Sequence, residues 1–465
     1  MHNIELSPST YVSSFLPAPN EAMRLFVTTG RGCETALLEE INELSKKLSL
    51  RIEKGPSESI AGVSLDAPFH TAAALNLGLT IASRITWTLL ECDVGSPEEL
   101  ADIVSRLEWA NLFDVRNTFM VEGHCKDTFT TNSMFLALKV KDAVADAFRD
   151  AKNQRPNVDT RAPDVSLIAR LVGRRLTIAV DLSGETLSNH GYRVADIAAP
   201  LRENLAAALI RAAGWNALAN SLHSTCEPVW MERQVKPVAE NKERRIPARV
   251  AMVPHFLDPM CGSGTLAIEA AMALINKKPN ARRKNFAFEA LLPFNNTWAK
   301  SYVEDNRRRL IESELDEDTI DERIERYRQA LVNAGMEEYK QATTPISGSD
   351  SDAKAIVATR RNAATAGVDF LVSLSQTSFL DKKNELKHGL IVTNPPYGER
   401  LNDQSQVIEL YAHMGDTLKK QFQGWTAWVI SNDLIALKRV GLRPTRKLAI
   451  YNGPLVCQFQ QFILY

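Results

Sequence analysis

Hydrophobic positions in the first 190 residues change period several times. Residues 1–20 are polar, punctuated by Pro and Ser, and lack periodicity, which predicts a flexible arm. RLFVTTG then predicts a short strand ending at Gly30, and CETALLEEINELSKKL sets Leu37, Leu38, Ile41, Leu44 and Leu48 at helical spacing. ESIAGVSLDA alternates as one strand, and HTAAALNLGLTIASRITWTLLECDV reads as a helix followed by a strand. PEELADIVSRL, NTFMVEGHC and TNSMFLALKVKDAVADAFRDAK predict a helix, a strand and a long amphipathic helix. Pro156 and Pro163 mark a loop, and SLIARLVGRRLTIAVDLSG predicts a hairpin hinged at Gly173. HGYRV reads as a connector into PLRENLAAALIRAAGW, a helix with Pro200 near its start and Gly214 at its end.

From about residue 250 strands and helices alternate. VPHFLDPM leads into a glycine loop and the helix GTLAIEAAMALIN; PISGSD leads into a helix stopped by Gly367; then come VDFLVSLSQ and GLIVTNPPYG. A helix through VIELYAHMGDTLKKQF, the strand WTAWVISND and a final pair of strands turned at NGP complete the series. Such alternation predicts a mostly parallel sheet covered by helices, with ligands at the carboxyl ends of its strands. A charged segment interrupts it: residues 312–325 carry eight acids and one base, which predicts a solvated helical insertion over about 297–342.

The length of 465 residues suggests about three domains, at roughly 150 residues each. The content of 45% hydrophobic and 24% charged residues excludes wholesale disorder. No apolar run approaches the roughly 18 residues of a membrane span, and MHNIELSPST lacks the features of a signal peptide, so a cytoplasmic location is expected. Six scattered cysteines without a CxxC pair, and dispersed histidines without HExxH, argue for reduced thiols and against a metal site. A net charge of −1 provides no global attraction to nucleic acid, so any such binding must come from local patches.

Two motifs carry chemistry. LDPMCGSGT (Leu257–Thr265) ends a strand and opens a helix, and Gly262 and Gly264 allow close approach of a ligand to the backbone. A GxG turn alone equally fits a dinucleotide site, but Asp258 just before it would repel a pyrophosphate and suit an ammonium or sulfonium group. Asp350, at the end of the next strand, is placed to hold two ribose hydroxyls; it lies 86 residues past Gly264, where a dinucleotide site has its acid about 20 residues on. Asp352 reads as the cap of the following helix.

IVTNPPYGERL is the stronger signal. Proline removes backbone donors and leaves rigid carbonyl acceptors, so the Asn394 side chain and the Pro395 carbonyl can both accept from an exocyclic NH₂. The lone pair of such an amine is delocalised into the base, and two acceptors drawing its hydrogens out of plane would localise it towards an electrophile. Pro396 stiffens the turn, and Tyr397 offers a stacking face for the base. Two basic patches flank the glycine loop in sequence: Lys277, Lys278, Arg282, Arg283 and Lys284, and Lys242, Arg244, Arg245 and Arg249. Each reads either as ordinary solvated surface or as phosphate contacts rimming the site.

DPMCGSGTLAIEAAM, GSDSDAKAI and TNPPYGERL together resemble the THUMP-bearing 23S rRNA guanine-N2 methyltransferases of bacteria, the RlmL type. FLALKVKDAVADAFRD, RPNVDTRAPDVSL, IAVDLSGETLSNHGYR and PLRENLAAALI extend the resemblance over roughly residues 22–465. It implies a Rossmann-like, seven-stranded S-adenosylmethionine-dependent methyltransferase domain (184–465) preceded by a ferredoxin-like segment (21–68) and a THUMP RNA-binding module (69–183). It implies N2 of a guanine in 23S rRNA as the target (position 2445 in the usual rRNA numbering), reached in the rRNA or in a large-subunit assembly intermediate. The cofactor would lie along Asp258, Pro259, Cys261, Gly262, Gly264 and Thr265, with its ribose on Asp350; the target amine would meet Asn394 and Pro395, with Tyr397 against the base. Relatives carry an acid after the third strand where this chain reads SQTS, so Gln376 is the candidate for the adenine edge. Some relatives are fused to a module forming 7-methylguanine; this chain ends after the final strand, so that activity is not expected.

Three other functions remain open on the motifs. Asn-Pro-Pro-Tyr serves any exocyclic amine, so an adenine-N6 methyltransferase of RNA or DNA is one. A non-catalytic RNA-binding assembly factor is the second. An NAD-dependent dehydrogenase is the third, disfavoured by Asp258.

Overall fold

The computed structural model describes residues 10–195, 200–235, 246–336, 345–396 and 404–465, with the side chains of 231–235, 246–250 and 404 left aside. The chain divides into two compact units, each with its own sheet. One comprises Met1–Thr29, Leu37–Leu187 and Pro279–Leu310; the other comprises Gly30–Ala36, Ser188–Lys278 and Ile311–Tyr465.

The first unit holds β1 (Tyr11–Val12), β2 (Met23–Thr28), most of α1 (Glu34–Leu48), β3 (Lys54–Ser59), β4 (Gly62–Ala67), α2 (Phe69–Gly78) and β5 (Arg84–Asp93). It continues with α3 (Pro97–Ser105), α4 (Trp109–Leu112), β6 (Phe119–Lys126), α5 (Ser133–Lys152), β7 (Val165–Val172) and β8 (Arg175–Asp181). Its strands form one sheet in the order β3-β4-β2-β5-β8-β7-β6, with β1 also on β5. The ferredoxin-like and THUMP segments expected from sequence therefore share a sheet, joined where β2 and β8 both pair with β5.

Three sequence expectations change here. The arm predicted over residues 1–20 is ordered from Ser13 to Phe15: the Ser13 amide donates to Leu89 O, Trp87 Nε1 donates to Ser13 Oγ at 3.0 Å, and buried Phe15 meets Trp109 edge-on. ESIAGVSLDA is not one strand; the chain reverses at Ala61, which takes φ 62°, and β3 pairs antiparallel with β4. Residues 279–310, expected within the methyltransferase domain, belong to this unit. Phe69 stacks on Phe294 with ring centres 3.9 Å apart, Phe288 and Trp298 close around it, and Asn280 Nδ2 donates to the Leu79 and Leu187 carbonyls. Burying these rings is what ties the segment to this core.

The second unit contains α6 (Glu203–Ala212), α7 (Trp215–His223), the hairpin β9 (Trp230–Val235) and β10 (Ile246–Ala251), β11 (Phe256–Asp258) and α8 (Thr265–Leu274). After α9 (Thr297–Glu312), which lies mostly in the first unit, come α10 (Glu317–Asn333), β12 (Ile346–Asp350), α11 (Ala353–Ala366), β13 (Val372–Gln376), β14 (Leu390–Thr393), α12 (Gln404–Gln421), β15 (Thr426–Ser431), α13 (Leu434–Arg439), β16 (Arg446–Asn452) and β17 (Leu455–Ile463). Seven strands pair in the order β13-β12-β11-β14-β15-β17-β16. The first five run parallel, and β17 is antiparallel to both its neighbours. This is the Rossmann-like sheet the alternation predicts. The chain steps outward from β11 to β13 and returns on the far side of β11 as β14, so the topological switch lies between β11 and β14.

Tyr411, Met414 and Leu418 of α12 pack with Ala427 and Val429 of β15, anchoring the strands that follow β14. The charged insertion is solvated on one face only. Ile320, Ile324, Tyr327 and Leu331 of α10 are buried, and the Tyr327 hydroxyl accepts from the Val229 amide and donates to Met252 O, both at 2.9 Å. Among the described residues no helix is long and apolar enough to cross a membrane.

Candidate active site

The central strand β11 has only three residues, all buried, and ends at Asp258. The chain then turns through Pro259–Gly264 into α8. The Cys261 amide donates to Ser349 O at 2.9 Å and the Gly264 amide to Cys261 O at 2.8 Å, tying the loop to β12 and closing it on itself. Gly262 and Gly264 take φ of 56° and 85°, and a Cβ on Gly264 would lie 2.4 Å from Thr359 Cγ2 of α11. Both left-handed conformation and close packing require glycine at position 264.

Asp258 is only 2% exposed, and burial pushes its carboxyl up to about 7, with the Asp350 charge adding to the effect. Its hydrogen bonding among the described residues is weak: the Met260 amide donates at 3.4 Å, and the nearby Thr393 hydroxyl makes no hydrogen bond. No cation neutralises it among the described residues. A buried carboxylate with so little support is poised for a positively charged ligand.

Asp350 ends β12, one strand away. Its Oδ2 accepts from the Gly262 amide and its Oδ1 from the Asp352 amide, each at 3.0 Å. An ionised carboxylate offers about four acceptor sites, so two bonds leave room for a pair of hydroxyls. Asp352 caps α11 by accepting from the Lys354 amide, as its position predicts. Gln376 ends β13, directly across from Asp350 in the parallel register, and donates to Ser351 O.

On the other side of β11, β14 delivers Asn394. Its Oδ1 is buried and has no hydrogen-bond partner among the described residues. Leaving a buried acceptor unpaired costs about 1–3 kcal/mol, so a donor is missing here. Pro395 is buried and Pro396 half-buried; Tyr397 lies outside the described residues. Asp258, Cys261, Gly262, Thr265 and Asn394 line a single cleft, which Pro200 and Leu201 also border.

Residues 248–461 match the family described as RMKL-like, methyltransferase domain, and residues 95–181 match the THUMP domain. The chain carries a THUMP domain and an RMKL-like methyltransferase domain. It is 30% identical over 443 residues to the Ribosomal RNA large subunit methyltransferase K/L of Shewanella sp. (strain MR-4), covering 95% of this chain and 53% of that protein. The chain thus spans about half the length of the curated relatives it matches. Among solved structures, SMU.472, an inferred methyltransferase complexed with SAH, is 26% identical with a TM-score of 0.72, over 96% of this chain and 98% of that one. A predicted N6-adenine-specific DNA methylase from Listeria monocytogenes, 23% identical with a TM-score of 0.69 over 96% and 97% of the two chains, shares the fold.

The methyltransferase domain also uses residues that sequence reasoning passed over. Arg193, in the HGYRV connector, donates to Ser263 Oγ at 3.1 Å, Thr265 Oγ1 at 3.2 Å and Leu201 O at 2.7 Å, and pairs with Glu203. Asn362 of α11 accepts from the Val194 and Ala195 amides and donates to Ser263 O. The connector is therefore laced to the glycine loop. Beneath it, His190 and Tyr192 both bond Glu269 of α8. Lys382, whose ammonium burial makes more acidic than usual, donates to Ser349 Oγ at 3.3 Å on β12. A polar cluster before a predicted helix was the sole hint of Arg193.

The basic patches divide between the two units. Lys277 and Lys278 follow the carboxyl end of α8, about 15 Å along the helix from the glycine loop at 1.5 Å per residue over its 10 residues. Lys277 pairs there with Glu314 at 3.2 Å. Arg282, Arg283 and Lys284 belong to the first unit. Arg283 is internal glue: it donates to Glu185 O, Ser183 O and Asn285 O and lies over the Phe286 ring. Arg282 and Lys284 are exposed. Lys242, Arg244 and Arg245 lie outside the described residues, and Arg249 sits on β10. No group of three or more His, Cys, Asp or Glu side chains among the described residues could hold a metal ion.

Proposed function

We propose that the chain transfers a methyl group from S-adenosylmethionine to the exocyclic N2 amine of a guanine in 23S rRNA, at the position numbered 2445. The observation that carries this reading is the buried, unpartnered Asn394 Oδ1 in the same cleft as the cation-seeking Asp258. The rRNA large subunit methyltransferase name of the relatives and the THUMP match support an RNA substrate.

The residues fit the cofactor. Gly262 and Gly264 let its methionine end approach the backbone, Asp258 suits its ammonium and sulfonium charges, and Asp350 suits its ribose hydroxyls. Gln376 is the candidate for its adenine edge. When bound, the cofactor supplies an electrophilic methyl carbon on sulfur. Asn394 Oδ1 and the Pro395 carbonyl accept the two hydrogens of the target amine and turn its lone pair out of the base plane. Holding the amine in line removes most of the entropic barrier, so no protein nucleophile is needed. Extruding a paired guanine costs a few kcal/mol, which favours naked or partly assembled rRNA over the intact subunit.

The test is methyl transfer to undermodified 23S rRNA, with digestion to nucleosides and mass spectrometry. N2-methylguanosine is the expected product. N6-methyladenosine in its place would make this an adenine enzyme, and cofactor binding without transfer would make it an RNA-binding assembly factor.

A further inference from the structure

We propose that Asn432 accepts the N1–H of the target guanine and so selects guanine over adenine; this rests on the guanine-N2 reading above. β14 and β15 are parallel, with Thr393 opposite Val429 as their last pair. Asn394 lies one residue beyond that pair and Asn432 three beyond it. Neighbouring strands are about 4.8 Å apart, so both amides stand at the same carboxyl edge of the sheet.

The residues around Asn432 have their polar groups occupied. Ser431 Oγ accepts from the Tyr411 hydroxyl at 3.0 Å and from the Asp433 amide at 3.1 Å. Asp433 caps α13 by accepting from the Ile435 and Ala436 amides at 2.9 and 2.8 Å. These bonds fix the backbone on both sides, yet Asn432 Oδ1 is buried and has no partner among the described residues. Thr393 Oγ1 and Asn394 Oδ1, at the end of the adjacent strand β14, are likewise buried without one.

Chemistry gives this acceptor a meaning. Guanine carries an N–H at N1 beside its C2 amine, whereas adenine carries a lone pair at N1 beside its C6 amine. With the amine held by Asn394 and Pro395, a further acceptor alongside bonds the first base and repels the second. Asn-Pro-Pro-Tyr alone draws no such distinction, and a site built around an N–H discriminates strongly against an analogue lacking it.

2-Aminopurine keeps the 2-amine and lacks the N1 hydrogen together with O6, and comparison with Asn432→Ala assigns the N1 part of the difference to this residue. We would prepare undermodified 23S rRNA by ligation with guanine or 2-aminopurine at the mapped target and compare kcat/KM. Wild type is expected to favour guanine by on the order of 10²-fold. Asn432→Ala is expected to bring that ratio close to one, with S-adenosylmethionine Kd and Tm little changed. Equal wild-type rates on the two bases, or an undiminished preference in Asn432→Ala, would overturn the proposal while leaving N2 transfer intact. Absence of N2 methylation on both bases would instead overturn the functional reading and this proposal with it.

Discussion

Asp181 in the first unit and Asp258 in the second are both buried aspartates, 1% and 2% exposed, and burial raises the carboxyl pKa of each. Their surroundings differ. Asp181 ion-pairs with Arg84 and accepts from the Ser183 amide at 2.8 Å, and Arg84 also donates to Gly184 O at 2.6 Å. Asp258 has a long amide contact and a cleft. Burial and a shifted pKa alone therefore do not mark a site; the missing partner does. The same contrast separates Arg283, whose donors serve its own unit, from Asn394, which lines the cleft and whose buried Oδ1 has no partner among the described residues.

The sharpest way to break this comparison is to remove the acceptor. Asn394→Ala is expected to lower the methyl-transfer rate on the order of 10³-fold, as loss of an oxyanion-type contact does, with S-adenosylmethionine affinity within a few fold. Single-turnover kinetics and calorimetry read the two separately, and a parallel fall in both would place Asn394 on the cofactor.

Removing the structural acid should act on folding instead. Asp181→Asn is expected to cost about 2 kcal/mol in urea unfolding, less than a fully buried pair because Arg84 still reaches water, and to leave cofactor affinity unchanged. Unchanged stability would erase the distinction between the two aspartates.

Asp258→Asn should do the opposite, weakening cofactor binding roughly 10–100-fold through loss of a buried charge contact while raising the stability of the ligand-free protein at neutral pH. Its pH dependence follows from sign. The folded carboxyl titrates near 7 and the unfolded one near 3.8, so the folded state holds a proton that the unfolded state has lost. Stability of the ligand-free protein should fall as pH rises from about 4 to 7 and level off above, an effect on the order of 4 kcal/mol that Asp258→Asn removes. Binding of a cation favours the ionised form, so affinity should rise about tenfold per pH unit below 7 and then plateau. A flat titration in the wild type would contradict this.

The smallest effects are expected at the surface. Arg282→Glu and Lys284→Glu should each reduce the salt dependence of RNA binding by about one unit of slope without changing Tm. Arg283→Glu should lower Tm, since it strips three carbonyls of their donor. If all three behave alike, Arg283 is not the internal pin its contacts describe.

Much of the methyltransferase domain was legible in its residues. Parallel strands buried on both faces are apolar runs, and the glycine loop, the Asp352 cap and the Asn-Pro-Pro turn are local chemistry, so Asp258, Gly262 and Asn394 could be assigned without tertiary information. The rest depends on distant partners. Phe288, Phe294 and Trp298 lie in short 3₁₀ turns and a helix start with no period, and nothing local says that they pack on Phe69. Their density in FAFEALLPFNNTW was the available sign of a core. The ordered Ser13–Phe15 segment and the Arg193 bridge likewise join residues far apart in sequence. Asn432 sits in an unremarkable SND turn, and only the list of filled partners around it shows that its own is missing.

The most direct test is a crystal structure of the chain with S-adenosylhomocysteine and a guanosine nucleotide. The account expects Asp258 and Asp350 in contact with the cofactor and Asn394 Oδ1 accepting from the 2-amine. A cofactor bound out of reach of Asp258, with Asn394 Oδ1 satisfied by a donor from the protein itself, would contradict it.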